Sequence, residues 1–358
     1  MKKLLTLLPL CALLATVWVL AAGDAGDPLV SLSHLTGAFT ARVDTAVERR
    51  LDESDEALRT GSSGISPAGN TAVTWAEQRL KQDDALIGST GTGVLLLAGG
   101  VQVSYAAGAV VDVSAGTAVP SGTALTAGHR YLVAEDTSAV FTVTSKTAVV
   151  DVQGSYSLSL SDAVDYNAMA AALKQLHLFQ GSFTGYGQGF DLEAAPTRLQ
   201  ALIMFIRVLG EEEQALAWSG TTPFRDIARG SQAEKYVGYA YSCGYTNGYS
   251  ATQFKPAGAV NAYQYTEFVL RALGYSSSDN TNLADTLLRA QDAGVLTAGE
   301  AEMLQRDRFL RAQLVYISYY ALESMTPGGT ETLADVLESK GVFSRSEYAA
   351  ARVSGRRM

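Results

Sequence analysis

The chain has 358 residues, of which 47% are hydrophobic, and its formal net charge is −9. This length allows two or three folded domains, and the apolar fraction is ordinary for a folded protein. The negative charge argues against a general nucleic-acid-binding protein, because neutralising phosphates requires clustered lysine and arginine side chains.

The start of the chain has the features of a secretory signal peptide. Lys2 and Lys3 form a basic start, the apolar run 4–20 follows, and the small residues 21–23 suit cleavage. We therefore predict that residues 1–22 are a signal peptide and that the protein is exported. The alternative is an uncleaved anchor, although a run of about 17 residues is at the lower limit for spanning a bilayer.

Residues 23–72 are predicted to form a helical segment followed by a linker. Apolar side chains recur at every fourth position: Phe39, Val43, Val47 and Leu51. This spacing predicts a helix from about residue 36 to 59. We interpret it as an amphipathic helix packed on a neighbour, and the alternative is a helix for self-association. Glycine and serine in residues 61–70 indicate the linker.

Residues 73–158 are predicted to form a small all-β module. Short β-branched and apolar runs are separated by glycine, serine, threonine and aspartate, and they cover residues 94–97, 101–105, 110–113, 131–134, 140–144 and 148–152. Such regular spacing favours a small antiparallel sandwich, a roll or a short β-helix.

This β-module contains one candidate for catalysis. His129 precedes a predicted strand, and Glu135 and Asp136 follow it, so a general base beside carboxylates is conceivable. We favour the interpretation that His129 lies in the turn before this strand and that Glu135 and Asp136 lie in the turn after it. The chain has three histidines and lacks the His-Glu-x-x-His, Gly-x-Ser-x-Gly and P-loop motifs. We therefore predict no catalytic residue, no metal site and no cofactor, with an enzymatic β-module as the alternative.

The chain becomes helical from residue 161 and carries an internal repeat. Thr197 and Gln200 are spaced as a capping box before an apolar helix. A shift of 64 residues aligns Thr197 with Asn261, Gln200 with Gln264, and Arg207 with Arg271. A third, weaker copy contains Arg311 and Gln313, but Leu310 stands at its cap position. Repetition at this period indicates stacked helical units that share a core.

These observations predict an α+β multidomain protein with an all-α bundle of repeats over residues 161–325. The three copies cover residues 161–210, 224–274 and 283–323, and a short helical tail follows over 326–358. The carboxylates Glu211-Glu212-Glu213 are interpreted as a solvated loop after the first repeated helix, and Cys243 as a small buried residue. The outer helices of the three repeats, which precede the repeated helices, are predicted at 166–178, 235–245 and 283–295, and His177 is placed on the first of them. The arginines at 352, 356 and 357 make the tail basic. We interpret it as a solvated tail, and the alternative is contact with an anionic wall or lipid surface.

The repeats resemble the S-layer homology domain. The matching stretches are Thr197-Arg198-Leu199-Gln200, the helix end Arg207-Val208-Leu209-Gly210, Pro223-Phe224-Arg225-Asp226, the run 236–247, and Phe254-Lys255-Pro256. The resemblance covers roughly residues 165–323. The family motif reads Thr-Arg-Ala-Glu, so this chain has glutamine for glutamate in all three copies and Ala262 for the arginine in the second.

The resemblance implies a pseudo-threefold helical bundle that binds a secondary cell-wall polysaccharide non-covalently, at the surface of a bacterium with a Gram-positive-type envelope. The positions implied for polysaccharide binding are Thr197, Arg198, Gln200, Asn261, Gln264, Arg311 and Gln313. An arginine in the first turn of a helix offers a planar fork for a carboxylate and lies beside the free N–H groups of the helix start. The structural alternative for Arg198 is a cap or an inter-repeat salt bridge.

Overall fold

The computed structural model describes residues 70–181, 189–275, 282–353 and 357–358. The predicted signal peptide and the predicted helix at 36–59 lie outside these residues. Residues 69–358 form one compact unit. Among the described residues, no helix combines the length and the apolarity needed to span a bilayer.

The first part of this unit is an antiparallel sheet, with eight strands among the described residues. The strands are β1 (Asn70–Lys81), β2 (Ala85–Ser89), β3 (Gly93–Tyr105), β4 (Ala109–Asp112), β5 (Thr117–Ala118), β6 (Thr123–Ala124), β7 (Arg130–Ala134) and β8 (Ser138–Ser159). Hydrogen-bonded neighbours follow the order β1-β8-β3-β7-β4-β5, while β2 pairs with β8 and β6 pairs with β3. In β3, Val101 and Val103 are buried while Gln102 and Ser104 are exposed, as their alternation predicts.

Strand β8 differs from the sequence-based prediction of two strands at 140–144 and 148–152. It runs without a turn for 22 residues and pairs with β1, β2 and β3. The Oγ of Ser145 accepts the N–H of Gly100 at 2.7 Å and donates to the carbonyl of Thr147 at 2.6 Å. The serine thus satisfies backbone groups where the β3–β8 register shifts, so a bulge replaces the predicted turn.

The second part of the unit is helical. Its helices are α1 (Tyr166–Gln175), α2 (Arg198–Val208), α3 (Glu212–Ala217), α4 (Gln232–Ser242), α5 (Ala262–Ala272), a 3₁₀ turn (Leu283–Asp285) that continues into α6 (Thr286–Asp292), α7 (Ala298–Arg306), α8 (Arg311–Ala321), α9 (Leu333–Ser339) and α10 (Arg345–Ala350). Helices α3 and α7 were not expected from the repeat pattern. Helices α9 and α10 lie in the tail, and Ser344 caps α10.

Among the repeated helices, α5 contacts both α2 and α8, and we call the three the central helices. The ring of Phe205 in α2 stacks on Phe268 in α5 with centroids 4.8 Å apart. The hydroxyl of Tyr265 in α5 lies 2.6 Å from that of Ser318 in α8. The start of α8 contacts the segment that precedes α2, where the N–H of Arg311 donates to the carbonyl of Ala194 at 2.8 Å. The arrangement brings the start of each central helix near a neighbouring repeat.

The sheet and the helices are joined by polar contacts. The Nζ of Lys146 in β8 lies 2.6 Å from the Oδ2 of Asp307, just before α8. At the other junction the buried Asp84 accepts the N–H of Ser161 at 2.7 Å. The sheet is therefore fixed against the helical part at two separate places.

Two predictions near helix ends are wrong. His177 lies beyond α1, with φ of +62°, and not on the helix. His177 has the left-handed backbone conformation, at the second residue after its helix. Glycine has this conformation at the same place after α4, α6 and α9, at Gly244, Gly294 and Gly341. Cys243 is exposed and not buried, because it follows α4 as its C-terminal cap, directly before the left-handed Gly244.

Candidate functional site

The starts of α2 and α5 are built in the same way, as predicted from the sequence. The Oγ1 of Thr197 accepts the N–H of Gln200 at 3.3 Å, and the Oε1 of Gln200 accepts the N–H of Thr197 at 3.0 Å. The corresponding bonds between Asn261 and Gln264 are 2.9 and 3.1 Å. In both boxes the glutamine uses its oxygen for the cap, so its NH₂ group is the donor left for other partners.

The start of α8 differs, because Leu310 has no side-chain oxygen. Only the second half of the box forms, in which the Oε1 of Gln313 accepts the N–H of Leu310 at 3.0 Å. The NH₂ group of Gln313 donates to the carbonyl of Arg308 at 3.0 Å, and the side chain is 1% exposed. The structure therefore places Gln313 inside the protein, while Gln200 and Gln264 are half-buried.

The first backbone N–H groups of α2 and α8 are occupied by neighbouring repeats. In α2 the N–H groups of Arg198 and Leu199 donate to the carbonyls of Gly258 and Pro256, at 2.7 and 3.1 Å. In α8 the equivalent groups donate to Ala194 and Leu192, at 2.8 and 3.0 Å. The expectation that these groups are free for a ligand is wrong, because each joint between repeats uses them. The side chains remain as the candidate ligand donors.

A groove lies between the start of α2 and the exposed face of α5. We call it the first groove, and its volume is about 440 Å³. Arg198 lies on one side, and α5 contributes Gln264, Glu267, Phe268 and Arg271. The loop 244–248, with its threonine and asparagine, completes the lining together with Phe254, Val260 and Leu283.

A second groove of about 190 Å³ lies between the start of α8 and the face of α2. Arg311 lies on one side, and α2 contributes Gln200, Ile203, Met204 and Arg207. These four positions match the four α5 positions of the first groove under the same 64-residue shift. The two grooves are therefore two copies of one surface, each with an arginine from the first turn of an adjacent central helix.

Arg198 provides a positive charge at the wall of the first groove. Its Nε donates to the carbonyl of Phe254 at 2.9 Å, and its guanidinium lies over the Phe254 ring at 5.2 Å. Partial burial lowers the pKa of Arg198, but a guanidinium remains protonated at neutral pH. Within the described ranges no carboxylate forms an ion pair with Arg198. The outer edge of the guanidinium can therefore accept an anionic partner.

Arg311 has a different environment at the equivalent helix position. It is 5% exposed, and its Nη1 lies 3.4 Å from the Oδ2 of the buried Asp191. Its guanidinium also lies over the ring of Phe179, at 5.5 Å. The positive charge of the second groove is thus compensated inside the protein, while that of Arg198 is not.

The first groove contains a second guanidinium that the sequence analysis did not assign to the site. The Nε of Arg271 lies 3.4 Å from the Oε1 of Glu267, and the Nη1 of Arg289 lies 3.1 Å from the other oxygen of Glu267. One carboxylate thus serves two guanidinium groups. A signal was available in the sequence, because Gln264, Glu267 and Arg271 lie on one face of a helix and Arg271 aligns with Arg207.

Glu211 and Glu212 are half-buried and do not lie in the solvated loop predicted from the sequence, whereas Glu213 is exposed. The Oε2 of Glu211 accepts the hydroxyls of Tyr239 and Tyr245, each at 2.9 Å. The Oε1 of Glu212 accepts the hydroxyl of Tyr236 and the Nε of Arg207, the latter at 2.8 Å. Burial, together with the Glu212 carboxylate, raises the pKa of Tyr236 to about 12. These tyrosine hydroxyls connect α4, and Tyr245 in the segment that follows it, to the start of α3.

In the β-module, His129 has a different carboxylate neighbour from those considered in the sequence. Its Nδ1 lies 2.8 Å from the Oδ2 of Asp112 at the end of β4. Burial alone would raise the pKa of Asp112, but hydrogen bonds from His129 and from the N–H of Ala115 outweigh it and lower the pKa. Over the described ranges, no group of three or more histidine, cysteine, aspartate or glutamate side chains is placed to hold a metal ion.

Comparisons with known proteins give limited similarity. The chain is 29% identical over 193 residues to a protein of Thermoanaerobacter kivui named "Cell surface protein". The matched part is 53% of this chain but only 24% of that protein. A scan against known protein families finds no match.

Comparison with solved structures gives low scores. Procruciferin, the 11S globulin of Brassica napus, has a TM-score of 0.16 at 12% identity and covers 27% of this chain and 26% of its own. ToxT from Vibrio cholerae has a TM-score of 0.15 at 13% identity and covers 80% of this chain and 99% of its own. TM-scores this low do not indicate a shared fold.

Proposed function

We propose that the chain is an exported, non-catalytic cell-surface protein that binds a secondary cell-wall polysaccharide through S-layer-homology-like repeats. The helical part is the anchor in this proposal, and the β-module is displayed outside the wall. The observation that carries the proposal is the pair of grooves related by the 64-residue shift, each with an arginine at the start of an adjacent helix. The name of the Thermoanaerobacter kivui relative, "Cell surface protein", supports a location at the cell surface.

The chemistry of the first groove suits an acidic polysaccharide. Arg198 offers a planar guanidinium without a carboxylate partner, and Arg271 shares its carboxylate with Arg289. A guanidinium can bind a sugar carboxylate through two parallel hydrogen bonds. The NH₂ group of Gln264 and the side chain of Asn247 add donors and acceptors for sugar hydroxyls. We therefore assign the stronger polysaccharide contact to the first groove.

The proposal is tested by sedimentation of the full-length protein with purified cell walls of a Gram-positive bacterium. Binding is expected before, and not after, chemical removal of the secondary polymer. Arg198→Ala is expected to weaken binding, and Arg345→Ala is the matched control because its side chain is 80% exposed and does not line the grooves. Equal binding to intact and stripped walls would contradict polysaccharide recognition.

The alternative is a wall-localised enzyme or processing factor whose activity lies in the β-module. The contact between His129 and Asp112 is the observation that favours it, because a carboxylate can orient an imidazole as a general base. Full-length protein and a His129→Ala variant would be incubated with purified wall fragments, and released products measured by mass spectrometry. Products that disappear with His129→Ala would favour the enzyme, while their absence with the wild type favours the binding protein.

A further inference from the structure

The face of α8 that corresponds to the two grooves has a different composition. A shift of 49 residues places Gln313, Tyr316, Ile317 and Tyr320 at the positions of Gln264, Glu267, Phe268 and Arg271. Tyr320 therefore stands where α2 and α5 have an arginine. The adjacent helix α5 begins with Ala262, where α2 and α8 begin with an arginine. This third face lacks both of the arginines that its own helices would supply.

Arg357 in the tail supplies a guanidinium at this place. Its guanidinium lies over the ring of Tyr320, 4.8 Å from the centroid. Its Nη2 donates to the carbonyl of Val295 at 2.7 Å, just as the Nη1 of Arg271 donates to the carbonyl of Tyr245 at 3.3 Å. Val295 and Tyr245 are equivalent, because each follows a left-handed glycine at the end of an outer helix. Arg357 thus makes for α8 the contact that Arg271 makes for α5.

A buried carboxylate holds Arg357 in this position. Glu300 is 0% exposed, and its two oxygens accept the Nε and Nη2 of Arg357 at 2.7 and 2.9 Å. The hydroxyl of Tyr316 donates to the same carboxylate at 2.9 Å. Such a two-pronged bond is the geometry that a guanidinium uses to bind a carboxylate ligand. Here the partner belongs to the chain, and Arg357 is not part of the solvated tail considered in the sequence analysis.

Met358 extends the cover over the same face. Its N–H donates to the hydroxyl of Tyr316 at 3.0 Å, and its carbonyl accepts the hydroxyl of Thr297 at 2.8 Å. Beneath this segment Tyr316 is 0% exposed and Tyr320 is 7% exposed. The corresponding Arg271 side chain of the first groove is 34% exposed. The third face is therefore closed in the place where the first groove is open.

We propose that Arg357 and Met358 occupy a third groove of the repeat bundle in cis, so that the chain closes this site with its own tail. Displacement of the segment exposes Tyr320, Tyr316 and the Glu300 carboxylate, and gives the bundle a third carbohydrate-binding face with aromatic rings. The consequence for wall binding rests on the function proposed above, while the occupation itself does not. An aromatic face with a carboxylate suits the rings and hydroxyls of a neutral sugar unit.

The occupation is tested by tyrosine nitration of the full-length protein, with the modified residues located by mass spectrometry. Arg357→Ala is expected to increase nitration of Tyr320 severalfold. Arg352→Ala is the matched control, because Arg352 pairs with Glu323 at the surface, where their side chains are 67% and 41% exposed. Unchanged protection of Tyr320 in Arg357→Ala would overturn the proposal.

A second variant separates release of the tail from loss of folding. Arg357→Ala leaves the Glu300 carboxylate buried without its guanidinium, so it is combined with Glu300→Gln. A glutamine can still accept the N–H of Thr297, as Gln200 and Gln264 accept theirs. The double variant is expected to keep the melting temperature closer to the wild type and still expose Tyr320. Adding Tyr320→Arg to Arg357→Ala should restore the melting temperature, because it returns the arginine to the helix position of Arg271.

Wall binding then tests the consequence. The Glu300→Gln, Arg357→Ala variant is expected to bind more purified wall polysaccharide per chain at saturation than the wild type, while Arg352→Ala is unchanged. Exposure of Tyr320 without extra binding capacity would overturn the assignment of a third groove. If neither wild type nor variants bind the polysaccharide, the proposed function fails, and nitration of Tyr320 alone decides whether the tail occupies the face.

Discussion

Gln200 and Gln264, which are 64 residues apart, accept the backbone N–H of the residue before their helices through the same atom, Oε1, at 3.0 and 3.1 Å. Each glutamine therefore fixes the start of its helix and directs its NH₂ group away from the cap. The same positions line the two grooves. Helix capping and groove construction are thus achieved by one side chain in each of two repeats.

The capping geometry predicts opposite effects of two substitutions. Asn261→Ala removes the acceptor for the N–H of Gln264 and is expected to lower the free energy of unfolding by about 1 kcal/mol. Leu310 has the same extended backbone as Asn261 but no side-chain acceptor. Leu310→Asn is therefore expected to raise the free energy of unfolding by a similar amount. Urea unfolding of both variants checks the prediction. A loss of stability in Leu310→Asn would show that apolar packing of Leu310 outweighs the cap.

His177 gives a second stability prediction. It has a left-handed backbone where the other outer helices have glycine, and such a conformation is strained for a residue with a side chain. His177→Gly is expected to stabilise the protein by about 0.5–1 kcal/mol, because relief of strain exceeds the entropy that glycine adds to the unfolded chain.

The matched control for His177 is Gly294→Ala. Gly294 has φ of +70°, and a Cβ there would meet no other atom within 4 Å, so the substitution adds backbone strain alone. It is expected to destabilise by about 1 kcal/mol. Thermal unfolding of both variants gives the comparison. Destabilisation by His177→Gly would mean that contacts of the imidazole, and not its backbone, decide the choice of residue.

The sequence predicted the repeated helix starts well because they depend on local chemistry. Thr197, Asn261 and their glutamines act within a single turn, so their spacing specifies the capping box. The alternation in β3 is equally local. Strand β8 was divided wrongly because the Ser145 hydroxyl, which bonds to a distant part of β3, replaces the expected turn.

The parts of the site that were missed depend on partners far apart in the sequence. Asp191 neutralises Arg311 across 120 residues, and Arg357 reaches Glu300 across 57 residues. No periodicity connects such positions. The glutamates at 211 and 212 were placed in solvent for the same reason, because their tyrosine partners lie on another helix.

Asp84 predicts an acid-dependent loss of stability. Burial alone would raise its pKa, but hydrogen bonds from Lys81 and Ser161 outweigh it and hold the pKa below its ordinary value of 3.8. A carboxyl with a lowered folded-state pKa adds stability above the unfolded-state pKa, and this stability is lost as the pH falls through the folded-state value. The melting temperature is therefore expected to fall below about pH 4.

Two variants assign this pH dependence to Asp84. Asp84→Asn is expected to be less stable than the wild type at pH 7. It should also lose less stability than the wild type between about pH 4 and pH 2, the range in which carboxyl groups such as Asp84 titrate. Asp83→Asn is the control, because Asp83 is an exposed neighbour. The same acid dependence in Asp84→Asn as in the wild type would place the titrating group elsewhere.

Arg198 and Arg311 should respond differently to removal, although both begin a central helix. Arg198→Ala removes a guanidinium without a carboxylate partner, and loss of a charge-assisted hydrogen bond of about 1.5–3 kcal/mol corresponds to roughly tenfold or more in affinity. Wall binding should therefore fall while the bundle remains folded. Arg311→Ala takes the guanidinium away from the buried carboxylate of Asp191 and should cost about 3–5 kcal/mol of folding stability.

A neutral replacement of the buried pair separates its structural contribution from binding. Arg311→Met combined with Asp191→Asn removes both charges, and asparagine tolerates the positive φ of residue 191. This double variant should recover most of the stability lost in Arg311→Ala, and its wall binding should fall less than that of Arg198→Ala. Sedimentation with purified walls and thermal unfolding are measured on the same preparations. If adding Arg198→Ala to the double variant left wall binding unchanged, neither arginine would be a polysaccharide-binding residue, and the groove assignment would be wrong.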